Sequence, residues 1–134
     1  MSARKSPPTL SHRACHALTP PPLPFPSTPI CLAPLCSASF DASVRLWDPS
    51  QGKVHSTLNH HSALVYSLAF SPSGDYLASS SGDKTVCVWS TKDGSLVRTF
   101  TGPSACYDTA FSPDGGKLAA CFSSGAVTVI DLRL

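Results

Sequence analysis

A chain of 134 residues carrying 13% charged residues at a mean hydropathy of +0.06 has the composition of one water-soluble globular unit and is too short for a multidomain enzyme. Its formal charge of +2 is far below the basic excess of a dedicated nucleic-acid binder, so no direct nucleic-acid partner is expected. All eight acids are Asp and none is Glu; Asp favours turns and Glu suits helix interiors, so β structure is the first expectation.

Residues 1–36 hold nine of the thirteen prolines, no Gly and no acid, with Arg4, Lys5 and Arg13 as their only charged side chains. Proline removes a backbone donor and restricts the residue before it, so the run from Thr19 to Pro29 is expected to be extended and disordered. Pro, Leu, Phe and Ser are written with pyrimidine-rich codons, and the stretch resembles a translated splice-acceptor tract; residues 1–36 are therefore expected to be a gene-model artefact. The prolines also spoil the amphipathic helix of a transit peptide, and no apolar core follows Arg4 and Lys5 as a secretory signal requires. The PxxP at Pro21 to Pro24 is a common coincidence in such text. His12, Cys15, His16, Cys31 and Cys36 match no spacing of metal-ligand knuckles, so neither a metal nor another cofactor is expected. No apolar run approaches the roughly 18 residues of a membrane-spanning helix, and no membrane partner is expected.

From residue 37 the chain repeats. The segment Ser37 to Asp48 (SASFDASVRLWD) precedes Ser79 to Ser90 (SSSGDKTVCVWS) by 42 residues, which places Asp41 on Asp83 and Trp47 on Trp89. A second offset of 41 places Ala69 to Ala78 on Ala110 to Ala119 and Trp89 on Ile130. A period in the low forties built of short strands marks a blade repeat rather than a helical solenoid. Val65 to Phe70 reads as a buried strand, Ser71-Pro72-Ser73-Gly74 as a type I turn, and Tyr76 to Ser81 as the next strand. Gly82-Asp83 then turns into Thr85 to Trp89, and Asp93-Gly94 into Ser95 to Phe100. The expected fold is all-β: a full four-stranded blade over 65–100, a partial blade over 37–58 lacking its innermost strand, and another over 105–132 lacking its outermost one, about two and a half blades in all. Cys87, Cys106 and Cys121 fall in strands as small apolar residues, which suits free buried thiols.

FSPSG in the first turn, SGD before the third strand and Trp-Asp at a strand end, with a His ahead of the blade, resemble the WD40 repeat family over residues 37–134. Within it, ASFDASVRLWD, VYSLAFSPSGDYLASSSGDKTVCVW and VTVIDLRL are most similar to the last repeats of transducin beta-like proteins, subunits of nuclear histone-deacetylase corepressor complexes, and of their plant counterparts. The resemblance implies a partial β-propeller whose hydrogen-bonded tetrad falls on His61, Ser81, Asp83 and Trp89, with a partial set Ser39, Asp41 and Trp47 in the preceding blade. In the following blade Gly102-Pro103 replaces Gly-His, Phe122 stands for Ser81, Ser124 for the Asp and Ile130 for the Trp, so apolar packing is expected to hold it. Ser81, His61 and Asp83 also invite comparison with a hydrolase triad, but no oxyanion hole or strained nucleophile elbow accompanies them, and no catalytic residue is expected.

The function implied is a non-enzymatic scaffold acting in transcriptional repression. Its partners would be corepressor and deacetylase subunits or histone tails, its compartment the nucleus, and its binding loops Asn59 to Leu64 (Asn59, His60, Ser62, Leu64) and Gly82 to Lys84. The alternatives are a cytoplasmic WD40 scaffold, such as a substrate receptor of a ubiquitin ligase, and a truncated product without function. Two and a half blades leave two sheet faces uncovered; at about 400 Å² of apolar area each, the lost burial is on the order of 10 kcal/mol per face. The chain is therefore expected to need further blades or to self-associate.

Overall fold

The computed structural model describes residues 34–133. The readings of the Pro-rich segment as disordered or artefactual, and of His12, Cys15, His16 and Cys31, lie outside the described residues, with one correction at the boundary. Strand β1 (Leu35–Ala38) starts two residues before Ser37, because Leu35 and Cys36 pair with Trp47 and Leu46, and Cys36 is buried by that pairing.

Three antiparallel sheets follow one another along the chain. The first is β1, β2 (Ser43–Asp48) and β3 (Lys53–Asn59); the second is β4 (Val65–Phe70), β5 (Tyr76–Ser81), β6 (Thr85–Ser90) and β7 (Leu96–Thr101); the third is β8 (Cys106–Phe111), β9 (Lys117–Phe122) and β10 (Val127–Asp131). Each sheet runs in chain order, as hairpin connections require. The turns are those the sequence dictates: Gly74 at φ +81° donates its N–H to Ser71 O at 2.9 Å, and Gly115 at φ +75° repeats this with Ser112 O at 2.9 Å.

The central sheet is covered on both faces. Trp89, Cys87, Leu77 and Leu68 pack with Val44, Leu46 and Leu58 of the first sheet, while Ala78, Val86 and Val88 pack with Cys106, Leu118, Ala120 and Phe122 of the third. This is why β6 reads Val-Cys-Val-Trp without a polar break: a strand buried on both sides has no solvent face to mark. Each fully buried Val or Leu contributes about 1.5 to 3 kcal/mol. Strand β4 lies beside β8, the equivalent strand of the third blade, and beside β1, which by the 42-residue offset corresponds to β5, so the central sheet is flanked by a blade on each side. The N–H of Val65 bonds Ser39 O at 3.2 Å, stitching the second blade to the first.

In the third blade the ring of Phe122 lies where a side chain on Gly102 would stand: a Cβ built there would be 2.0 Å from Phe122 Cε1. Cys87 and Cys106 are free and buried as expected, but Cys121 is only half-buried, since it points to the outer face of its sheet.

The turn between the second and third strands of a blade needs a left-handed residue at one repeat-equivalent position. Ala42 (φ +71°), Lys84 (φ +73°) and Gly125 (φ +85°) occupy it in turn. A side chain with a Cβ costs about 1 to 2 kcal/mol there, partly offset by the entropy that Gly loses on folding. Replacing Ala42 with Gly should therefore raise stability by about 0.5 kcal/mol, read as a higher urea midpoint at unchanged slope.

Candidate functional site

The central blade is held by a chain of polar side chains running from its core to its rim. Trp89 Nε1 donates to Ser79 Oγ at 2.8 Å; Ser79 Oγ lies 2.7 Å from His61 Nε2; and His61 Nδ1 lies 3.0 Å from Asp83 Oδ2. These contacts are all satisfied by one neutral tautomer, in which Ser79 O–H donates to Nε2 and Nδ1–H donates to Asp83. Thr85 Oγ1, 3.0 Å from His61 Nδ1, donates to Asp83 Oδ1 at 2.5 Å, and the N–H groups of Thr85 and Ser62 also donate to that carboxylate at 2.9 Å.

The bridging hydroxyl is therefore Ser79, and the assignment of Ser81 to this network is corrected. Ser81 Oγ turns away to donate to Ala63 O at 3.0 Å and accepts the N–H of Asp83 at 3.2 Å. The reason is register: Trp89 lies opposite Leu77, so Ser79 is two residues along β5 from it and Ser81 is four, about 13 Å away at strand spacing and beyond the reach of an indole. The first blade has the same offset. Trp47 Nε1 donates to Ser37 Oγ at 2.9 Å, not to Ser39, whose hydroxyl accepts the N–H of Asp41 at 3.3 Å. Asp41 accepts Ser43 N–H and Oγ–H, at 2.9 and 2.6 Å. In the third blade Ala120 stands at the Ser79 position and Ala126 at the Thr85 position, so no polar chain forms. One backbone link survives the change: Gly82 N–H to Leu64 O at 2.9 Å recurs as Ser123 N–H to Ala105 O at 2.8 Å.

Electrostatics fit the tautomer. Burial pushes the His61 imidazole below its ordinary value, against the pull of Asp83, and leaves it neutral at pH 7. Burial acts to raise the Asp83 carboxyl, but the hydrogen bonds from Thr85, Ser62 and His61 together outweigh it and bring the group down to about 2. The order Asp83, His61, Ser79 is that of a nucleophile relay. Ser79, however, has no exposed surface, and its oxygen is engaged by the Trp89 indole, so the arrangement fixes strand register and presents no reacting group. Burial also raises the Cys106 thiol to about 11, away from the reactive thiolate.

The loops singled out as binding surfaces lie at the Asp83 end of this chain. Asn59, His60, Ser62 and Lys84 are exposed, and Leu64 is half-buried. The His60 ring meets Trp89 edge-on at 6.3 Å, and the backbone of Ser62 is tied to Asp83, so this rim is ordered from below. Missed by sequence reasoning are Tyr66 and Tyr107, whose rings meet at 5.1 Å and 84° between the second and third blades. The 41-residue offset that aligns the two blades pairs them, and that was the available signal.

Ser79→Ala should cost about 2 to 3 kcal/mol, because it strands the indole N–H and the imidazole together, whereas Ser81→Ala should cost about 1. Trp89→Ala should cost about 3 to 5 kcal/mol through the cavity it leaves. Chemical denaturation of the three variants checks this ranking.

Acid should destabilise the fold in two stages. The unfolded chain takes up the imidazole proton first as pH falls below 6.5, since the folded His61 value is lower; the Asp83 contribution is complete above about pH 4 and is lost as pH falls toward 2. Asp83→Asn should flatten the lower stage of a stability-against-pH curve and leave the other acids' contributions in place.

Residues 52–90 and 94–131 match the family model described as WD domain, G-beta repeat (WD40). The chain is 44% identical over 100 residues to WD40 repeat-containing protein HOS15 of Arabidopsis thaliana, covering 75% of this chain and 16% of that protein. It is 46% identical over 98 residues to F-box-like/WD repeat-containing protein TBL1Y of Homo sapiens, covering 73% and 19%. Eukaryotic translation initiation factor 3 subunit I of Aspergillus terreus is 34% identical over 103 residues, covering 73% and 31%. Among solved structures, the β-propeller domain of Cps50 (Swd1) from Myceliophteria thermophila superposes with a TM-score of 0.71 at 26% identity, covering 76% of this chain and 33% of that one. The three sheets are thus propeller blades, as expected, and the chain spans 16% to 31% of the length of these curated relatives.

Proposed function

The chain belongs to the WD40 repeat family, and from that premise we propose that it serves as a non-enzymatic protein-interaction scaffold, one portion of a subunit of a nuclear histone-deacetylase corepressor complex. The observation that carries the corepressor reading is the gradient of identity: 44% and 46% to HOS15 and TBL1Y against 34% to the translation-initiation subunit, over alignments of 98 to 103 residues. The geometry supports scaffolding. Its polar chain is buried and fully bonded, burial pushes the Cys87 and Cys106 thiols up, and the loops at its rim are carried by the strands of the blade. Corepressor and deacetylase subunits, or histone tails, are the partners this reading assigns to the rim, and the nucleus is the compartment.

Tagged chain purified from nuclear extract should bring with it deacetylase activity on an acetylated histone-tail peptide, well above a tag-only control. Activity at the control level, with translation-initiation subunits recovered from the cytoplasm instead, would overturn the corepressor assignment and favour the cytoplasmic scaffold.

A further inference from the structure

Tyr66 and Tyr107 are both bulge residues. In the pairing of β4 with β5, Val65 faces Ser81 and Ser67 faces Ser80, and Tyr66 has no partner; in β8 with β9, Cys106 faces Phe122 and Asp108 faces Cys121, and Tyr107 has none. A bulge re-aims the side chain of its extra residue, and here two successive blades spend one on a tyrosine. The rings meet edge to face, 5.1 Å between centroids and 84° between planes, so that together they form a corner with an aromatic face on each wall.

Tyr107 is 51% exposed, a large aromatic surface left to solvent. Beside it Asp108 is exposed and, among the described residues, has no ion-pair partner. Ser67 Oγ donates to Asp108 Oδ1 at 2.6 Å and the Thr109 N–H donates to the same oxygen at 2.9 Å, so both bonds fall on one carboxylate oxygen and the second oxygen accepts neither. The Ser67 bond also spans the blades, fixing the two tyrosine-bearing strands relative to each other. At the other wall, a Cβ on Gly82 would lie 3.4 Å from Tyr66 Cε2 and 3.3 Å from Leu64 Cδ1, so the corner adjoins the rim loops 59–64 and 82–84.

We propose that this corner receives a basic side chain of a partner polypeptide, its guanidinium or ammonium group lying against the Tyr66 and Tyr107 rings and paired with the open oxygen of Asp108. Aromatic faces attract a cation through their quadrupole, and an unpaired carboxylate alongside supplies the charge-assisted bond that a neutral ligand cannot use. The proposal rests on the protein-interaction reading and names the chemistry of what the rim selects.

The test is a titration of the chain, carrying isotope-labelled tyrosines, with an acetylated Gly-Ala-Arg-Ala-Gly amide, its lysine counterpart and its neutral citrulline counterpart. The Tyr66 and Tyr107 ring signals should move with the two basic peptides and about tenfold less with citrulline; Tyr107→Phe should keep the response, while Asp108→Asn should weaken it by about three- to tenfold. A citrulline peptide that binds as well as the arginine peptide, an unchanged Asp108→Asn titration, or ring signals that stay still for all three peptides would overturn it. Deacetylase copurification alongside unmoved ring signals sinks the corner alone, whereas a selective response to the basic peptides without copurification upholds the corner and sinks only the corepressor assignment.

Discussion

One hydroxyl carries more of this structure than any other group. Ser79 Oγ accepts the hydrogen bond of the Trp89 indole N–H and donates its own O–H to His61 Nε2, and it does so with no exposed surface. A buried polar group of this kind is costly unless every member of its chain is bonded, and here the last member, Asp83, is anchored by Thr85 and by the backbone of Ser62 at the rim. Core and loop are thereby one object: the strand register that places Ser79 under the indole is the register that sets the height of the loop above it.

The neighbouring blades show what happens as this chain is dismantled. The first keeps the indole and its hydroxyl, Trp47 on Ser37, and its Asp41 bonds locally to Ser43. The third keeps none of it and substitutes Ala120 and Ile130, with Phe122 and Leu118 filling the space against the central sheet. Apolar packing tolerates exchanges of similar volume and specifies register less sharply than a bonded chain, so the third blade relies on backbone links of its own, such as Ser123 N–H to Ala105 O, and is tied to the central blade by Ser67 Oγ–H to Asp108 Oδ1.

Much of the fold could be read directly from the chain, because repeat offsets of 42 and 41 carry the strand order from one blade to the next. The turns were readable for a local reason, the Pro and Gly at fixed positions of Ser71 to Gly74. Two things were harder. Three consecutive serines, 79 to 81, put Ser79 and Ser81 on the same face of β5, and composition cannot choose between them; only counting along the strand pair from Trp89 does so. The tyrosine pair needed the bulges, which shift a residue out of alternation and leave no mark in the hydrophobic pattern. The early start of β1 was hidden by the prolines ahead of it, although Leu35 and Cys36 align with Leu77 and Ala78 at the same offset as their neighbours.

The contact of Phe122 with Gly102 bears on how such a blade can change over generations. With the ring occupying the place of a side chain at 102, the two positions share a single volume. A side chain at 102 therefore requires a smaller residue at 122, and a large ring at 122 requires glycine at 102. The order of substitutions at the two positions is thus constrained by a steric overlap: the ring must give way before a side chain can be placed at 102.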